Sequence, residues 1–120
     1  MNPYFLVAAV LAFAIGLAHS WLGEQFFRAH PHLAGTNELA NRTLHFAWHL
    51  TTVAWWGAGT LLSVLSKTAL DPPRRALARV IATTFLASAI VALIGSRGRH
   101  PSWVGFLAIA VAVWFGAYRR

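Results

Sequence analysis

The sequence predicts an all-α integral membrane protein, a four-helix bundle with both termini in the cytoplasm. Of its 120 residues, 58% are hydrophobic and only 11% are charged. Soluble domains carry about 25% charged residues, so this composition is typical of a membrane protein. Apolar segments separated by polar connections indicate helices at about residues 3–22, 38–66, 76–96 and 101–118. We expect them to form a single transmembrane domain over residues 1–120.

The connection between helices 1 and 2 is polar but rich in aromatic residues. Gly23 is a natural terminator for helix 1, because glycine is common just after a helix end. Phe26 and Phe27 then suit the headgroup depth of a bilayer. We therefore expect a separate, short interfacial helix around residues 24–29, ended by Pro31.

Helix 2 is the longest of the four segments. Thr36 or Asn37 suits its N-cap, and Glu38 lies in its first turn, where a negative charge is favourable. Its length exceeds the roughly 20 residues that cross a bilayer, so its start should protrude. Helix 3 follows the basic, proline-containing turn at residues 67–79, and Pro101 suits the first turn of helix 4.

Small residues recur along helices 1 and 4 at four-residue or similar spacing. They are Ala8, Ala12, Gly16 and Ser20 on helix 1, and Gly105, Ala108, Ala112 and Gly116 on helix 4. Such stripes let membrane helices approach closely. We therefore expect helices 1 and 4 to pack through them, at Gly16 and at Gly105 or Ala112.

The distribution of basic residues predicts how the chain is oriented in the membrane. The side with the second connection and the C-terminus carries six, Lys67, Arg74, Arg75, Arg79, Arg119 and Arg120, and the other side carries Arg28, Arg42, Arg97 and Arg99. Basic residues favour the cytoplasmic side, so both termini should lie there, in a bacterial inner membrane. The net charge of +7 indicates contact with an anionic lipid bilayer rather than with nucleic acid.

The histidines concentrate on the opposite, non-cytoplasmic side. All six fall there in the predicted topology, and they are His19, His30, His32, His45, His49 and His100. His45 and His49 are one helical turn apart, a spacing that can present two ring nitrogens to one metal ion. Polar groups are costly against lipid tails, so we expect both rings to point into the bundle, against helix 1.

These residues are predicted to lie on the same side of the membrane and at similar depth, and this placement predicts a metal site. The expected ligands come from the ends of helices 1, 2 and 4, and they are His19, Glu24, His45, His49 and His100. His19 and Glu24 are roughly 140° apart on a continuous helix, so they converge only if the chain breaks near Gly23. Nitrogen and oxygen ligands without any cysteine suit Zn, Cu, Fe or Mn.

Other polar residues of the predicted site receive supporting roles. Glu24 is also a candidate proton acceptor. Three arginines are candidates for holding an anionic substrate or cofactor, or for pairing with Glu24 and Glu38; they are Arg42, Arg97 and Arg99. His30 and His32 lie in a His-Pro-His loop, and we expect them to be solvated.

Three functions agree with this pattern. The first is a metal-binding membrane protein, including a small membrane metalloenzyme if the ion keeps an open coordination position. The second is a haem b electron-transfer protein with His19 and either His45 or His49 as axial ligands. The third is a non-catalytic accessory subunit, in a homo-oligomer or a larger membrane complex.

Overall fold

The computed structural model describes residues 1–119 as four helices, with no strand in that range. They are α1 (Pro3–Ala29), α2 (Glu38–Ser66), α3 (Pro72–Gly95) and α4 (Ser102–Tyr118). The prediction of an all-helical chain with four helices is therefore confirmed. Arg120, which the predicted charge bias includes, lies outside the described residues.

Consecutive helices run antiparallel, and the bundle is open along one side. The helix α1 packs against both α2 and α4, and α4 packs against α3, whereas α2 and α3 barely touch. The backbone N–H of Asn2 donates to the Ser66 carbonyl (2.7 Å), and its side-chain amide donates to the Gly116 carbonyl (2.9 Å). The start of α1 therefore lies beside the ends of α2 and α4.

The helix α1 is longer than the sequence predicts. It continues through Gly23 to Ala29, so residues 24–29 are its last turns and not a separate interfacial helix. The indole of Trp48 lies over Gly23, where any added Cβ would collide with it. The Trp48 Nε1–H also donates to the His19 carbonyl (2.8 Å). Gly23 is thus a packing residue that lets α2 approach, and the prediction that it ends the helix is wrong.

A second glycine of α1 is covered in the same way. A Cβ on Gly16 would lie 2.6 Å from the Trp56 Nε1, and that indole N–H donates to the Phe13 carbonyl (3.2 Å). Gly16 therefore faces α2, and the prediction that it packs on helix 4 is wrong. Gly105 of α4 does face α1, because a Cβ there would meet Ile15.

Prolines mark the starts of α3 and α4. The helix α3 begins at Pro72, a few residues earlier than the sequence indicates, and the Asp71 side chain caps it by accepting the Arg74 N–H (2.9 Å). Prolines are tolerated in the first turn because N–H groups there have no partner within the helix. The helix α4 begins at Ser102, so Pro101 lies at its N-cap position.

The interior of the bundle is built from small side chains, and many large apolar side chains face outward. Half of the buried hydrophobic residues are alanines, whereas Val91 and Ile94 of α3 are each 71% exposed. Two helices, α1 and α3, are long and apolar enough to cross a membrane, and α4 is a shorter apolar helix. The first turns of α2 carry Glu38, Arg42 and the histidine pair.

The contact between Gly23 and Trp48 gives a test of the fold. Gly23→Ala should lower the free energy of unfolding by about 1–3 kcal/mol, because the new methyl group overpacks the interface. Gly57→Ala on α2 is the matched control, since nothing lies within 4 Å of its added Cβ. That variant should gain up to about 1 kcal/mol from helix propensity. Thermal unfolding followed by circular dichroism measures both, and an unchanged melting temperature for Gly23→Ala would contradict the packing.

Candidate metal site

Glu24, His45 and His49 form a cluster between α1 and α2. The Glu24 Oε2 lies 2.7 Å from the His45 Nε2 and 3.2 Å from the His49 Nε2. One ligand atom from each residue lies within 4.8 Å of the others, so the group can hold a metal ion. The three side chains are 33–40% exposed, which leaves the cluster open to solvent on one side.

The two helices place these side chains by simple geometry. His45 and His49 lie one turn apart on the face of α2 that is turned toward α1, as the sequence predicts, although their rings are only partly buried. Glu24 reaches them because α1 continues past Gly23. The His45 ring also stacks on Phe27 of α1 (4.7 Å between centroids, 22° between planes).

The Glu24 carboxylate divides its two oxygens between two kinds of partner. Its Oε1 accepts from the Arg28 Nε–H at 3.0 Å, whereas its Oε2 faces both imidazoles. Arg28 is a partner that was not predicted from the sequence, although the four-residue spacing from Glu24 indicates an ion pair on a helix. This contact fixes the carboxylate with one oxygen toward α2.

A chain of hydrogen bonds determines which nitrogen of His49 carries a proton. The Thr52 hydroxyl donates to the Gly16 carbonyl (3.3 Å), because a carbonyl can only accept. The Ser20 hydroxyl donates to the Thr52 Oγ1 (2.8 Å). Ser20 has no second proton, so its Oγ accepts from the His49 Nδ1–H at 2.9 Å. The part that Ser20 plays here was not predicted from the sequence.

This chain has a direct electrostatic consequence. A neutral His49 with its proton on Nδ1 has a lone pair on Nε2, and that lone pair faces the Glu24 carboxylate oxygen. Two acceptors repel each other at this distance unless a cation lies with them. The cation is either a second proton on the ring or a metal ion. Metal-binding histidines commonly donate their other N–H in this way, which fixes the tautomer.

The structure does not bring His19 into the cluster. Its ring stacks on the Trp48 indole (4.4 Å between centroids, 3° between planes), and its Nε2–H donates to the Trp48 carbonyl (3.2 Å). Because α1 does not break at Gly23, His19 and Glu24 stay on different faces of the helix, roughly 140° apart.

His100 also lies outside the cluster. Its Nδ1 accepts from the Ser102 backbone N–H (3.2 Å) and lies 2.8 Å from the Ser102 Oγ, at the start of α4. The His100 ring is therefore held at the start of α4 by a residue two positions further along the chain. His30 and His32 are exposed in the connection between α1 and α2.

The three predicted arginines are placed differently. Arg42 pairs with Glu38 (2.6 Å) on the exposed face of α2, which is one of the pairings that the sequence predicts. Arg97 and Arg99 lie in the turn between α3 and α4 and form no ion pair within residues 1–119. In that same range, Glu24 pairs with Arg28 in place of these arginines.

Comparison with protein-family models, with curated proteins and with solved structures found no match. The chemistry of the site therefore rests on its own geometry.

The hydrogen-bond chain predicts that the His49 Nδ1 is protonated with or without a bound metal. Long-range ¹H–¹⁵N NMR of imidazole nitrogens at neutral pH measures this directly. His32 is the reference, because it forms no hydrogen bond within residues 1–119. In Thr52→Val the Ser20 hydroxyl becomes free to donate its proton to His49. The preference of His49 for a proton on Nδ1 should then weaken. An unprotonated Nδ1 in the wild-type protein would contradict the direction of the chain.

Proposed function

We propose that this chain is a small integral membrane protein that binds one transition-metal ion through Glu24, His45 and His49. The observation that carries the proposal is that one ligand atom from each residue lies within 4.8 Å of the others, with the His49 Nε2 held toward a carboxylate oxygen by the bonds through Ser20 and Thr52. A metal ion at this point turns a repulsive contact into two coordinate bonds.

The ligand set supports a particular kind of ion. Two imidazole nitrogens and one carboxylate oxygen are the protein ligands of several catalytic zinc sites and of non-haem iron sites. Zn, Cu, Fe and Mn all accept such ligands. Three protein ligands leave an open position, and the cluster is partly exposed, so water or a substrate can reach it. A metal ion in such a site polarises bound water, which supports a metalloenzyme.

Several observations support the placement in a bilayer. Large apolar side chains cover the outside of the bundle, and contiguous apolar surface of this kind is unusual in soluble monomers. Two helices are long and apolar enough to span. The chain start lies beside the ends of α2 and α4, which agrees with the six-to-four bias in Lys and Arg. We infer that both termini are cytoplasmic and that the metal site lies near the opposite face.

The geometry disfavours the haem b alternative. A haem held by His19 and either His45 or His49 needs both rings to face one shared space, whereas the His45 and His49 Nε2 atoms face Glu24 and the His19 ring stacks on Trp48. The accessory-subunit alternative, in a homo-oligomer or a larger complex, is the function that remains if the chain binds no metal.

Metal titration tests the proposal. The full-length protein in detergent should bind one Zn²⁺ or Co²⁺ per chain, and bound Co²⁺ should report its nitrogen and oxygen ligands in the visible spectrum. Glu24→Gln and His45→Ala should weaken binding by more than about 100-fold, because loss of a ligand costs more than loss of a supporting bond. Glu38→Gln is the matched control and should bind as the wild type does.

Two further variants separate this ligand set from a larger one. His19→Ala and His100→Ala should retain the bound ion, since neither ring lies in the cluster. If the folded wild-type protein retains no ion after desalting, the metal proposal is wrong.

The inferred orientation is tested by single cysteines, because the chain has none of its own. Ala34→Cys lies in the connection between α1 and α2, and Ala69→Cys in the connection between α2 and α3, and both positions are exposed. A membrane-impermeant maleimide added to intact bacterial cells should label Ala34→Cys at once. It should label Ala69→Cys only after the inner membrane is permeabilised. Equal labelling of both variants in intact cells would contradict the orientation.

A further inference from the structure

The open side of the bundle contains a second candidate site. A cavity of about 1100 Å³ lies between α2 and α3, where these helices separate. Its walls include Thr51 and Trp55 of α2 and Thr84 and Ser88 of α3. His19 and His100 line it as well, although neither belongs to the metal cluster.

The long walls of this cavity are apolar in spite of their hydroxyl groups. Thr84 donates to the Val80 carbonyl (2.9 Å), and Ser88 donates to the Thr84 carbonyl (2.9 Å). Thr51 donates to the Ala47 carbonyl (3.2 Å). These three hydroxyls are thus satisfied within their own helices, and the walls present methyl and methylene groups there. The Ser96 hydroxyl at the end of α3 also lines the cavity and has no hydrogen-bond partner within residues 1–119. Such a groove suits an apolar chain.

Two histidines line the cavity, and their tautomers differ. His19 donates its Nε2–H to the Trp48 carbonyl, so a neutral His19 has an acceptor at Nδ1. His100 accepts the Ser102 N–H at Nδ1, so a neutral His100 has a donor at Nε2. Neither remaining nitrogen has a hydrogen-bond partner within residues 1–119. A ligand that reaches both rings would therefore meet one acceptor and one donor.

Aromatic rings also line the cavity beside His19. Trp55 stands edge-on to His19 (4.7 Å between centroids, 62° between planes) and to Phe106 (4.9 Å, 61°). Aromatic pairs favour such edge contacts, so a flat ring bound in the cavity would find aromatic partners there. A hydroxyl group on that ring can donate to His19 and accept from His100. A lipid phosphate, which only accepts, would leave the His19 acceptor unsatisfied.

We propose that the cavity binds a lipid-soluble phenol or quinol, with its hydroxyl group between His19 and His100 and its apolar tail along α3. The ligand would reach the open side from the bilayer, and in that respect the inference rests on the proposed membrane placement. It does not depend on the metal site, whose residues do not line the cavity.

Equilibrium dialysis of radiolabelled 4-decylphenol tests the inference, using the full-length protein in lipid nanodiscs with empty nanodiscs as background. Saturable binding of one molecule per chain is expected. The methyl ether 4-decylanisole has the same ring and tail but no O–H, and it should bind about tenfold more weakly because one hydrogen bond is lost. Equal binding of the two compounds would overturn the inference, because the tail alone would then account for it.

Variants of the cavity supply a second measurement. Ala87→Leu fills the cavity wall and should abolish saturable binding, whereas Ala76→Leu on the same helix, outside the cavity, should leave it unchanged. His100→Phe keeps a ring but removes the donor, and should weaken binding about fivefold. All three should retain the helical circular dichroism spectrum of the wild-type protein, which shows that they are folded. Unchanged binding by Ala87→Leu would overturn the inference.

The identity of the occupant and the placement in a membrane are tested separately. Displacement of the phenol by phosphatidylglycerol at equal concentration would show that the occupant is a phospholipid, and the inference would be wrong. A chain that purifies without detergent would contradict the proposed membrane placement instead. The dialysis is then done in buffer. Weaker binding of 4-decylanisole than of 4-decylphenol, and loss of phenol binding in Ala87→Leu, remain the results that the inference requires.

Discussion

One contact governs the arrangement of α1 and α2, the approach of two imidazole nitrogens to a single carboxylate oxygen. The Glu24 Oε2 faces the Nε2 atoms of His45 and His49, and the bonds through Ser20 and Thr52 orient the His49 ring from behind. With its proton on Nδ1, a neutral His49 has only a lone pair to present to that oxygen, and a cation shared between the two groups makes their contact favourable. The cluster is thus a place where a cation, either a second ring proton or a metal ion, can tie the far end of α1 to the start of α2.

Trp48 packs between α1 and α2 beside that contact, and it also lines the cavity. Its indole lies over Gly23, whose missing Cβ leaves room for it, and α1 continues past this point through Glu24 to Ala29. Trp48 and His19 also exchange hydrogen bonds, since each ring N–H donates to the other residue's carbonyl. This reciprocal pair engages the His19 Nε2, so the ring stays out of the metal cluster. The same ring lines the cavity beside α3.

The parts of the site that depend on local spacing could be predicted from the sequence. His45 and His49 lie one turn apart and so share a face of the helix, and the cost of polar groups against lipid tails predicts that this face meets α1. The part played by Glu24 could not be settled, because Gly23 suits a helix end as well as a close contact between helices. Trp48 decides between these, and its position over Gly23 is a tertiary contact. Likewise, His100 is held by Ser102, a local bond that helical periodicity does not predict.

X-ray absorption at the zinc edge, on the purified wild-type protein loaded with one equivalent of zinc, tests the central claim most directly. Two imidazole nitrogens and one or two oxygens at about 2.0–2.2 Å from the ion are the expected first shell, with the outer-shell scattering that imidazole rings produce. Zinc surrounded by oxygen alone, without imidazole scattering, would contradict the proposed ligand set. Four imidazoles would contradict it as well, because they would require His19 and His100 to leave Trp48 and Ser102.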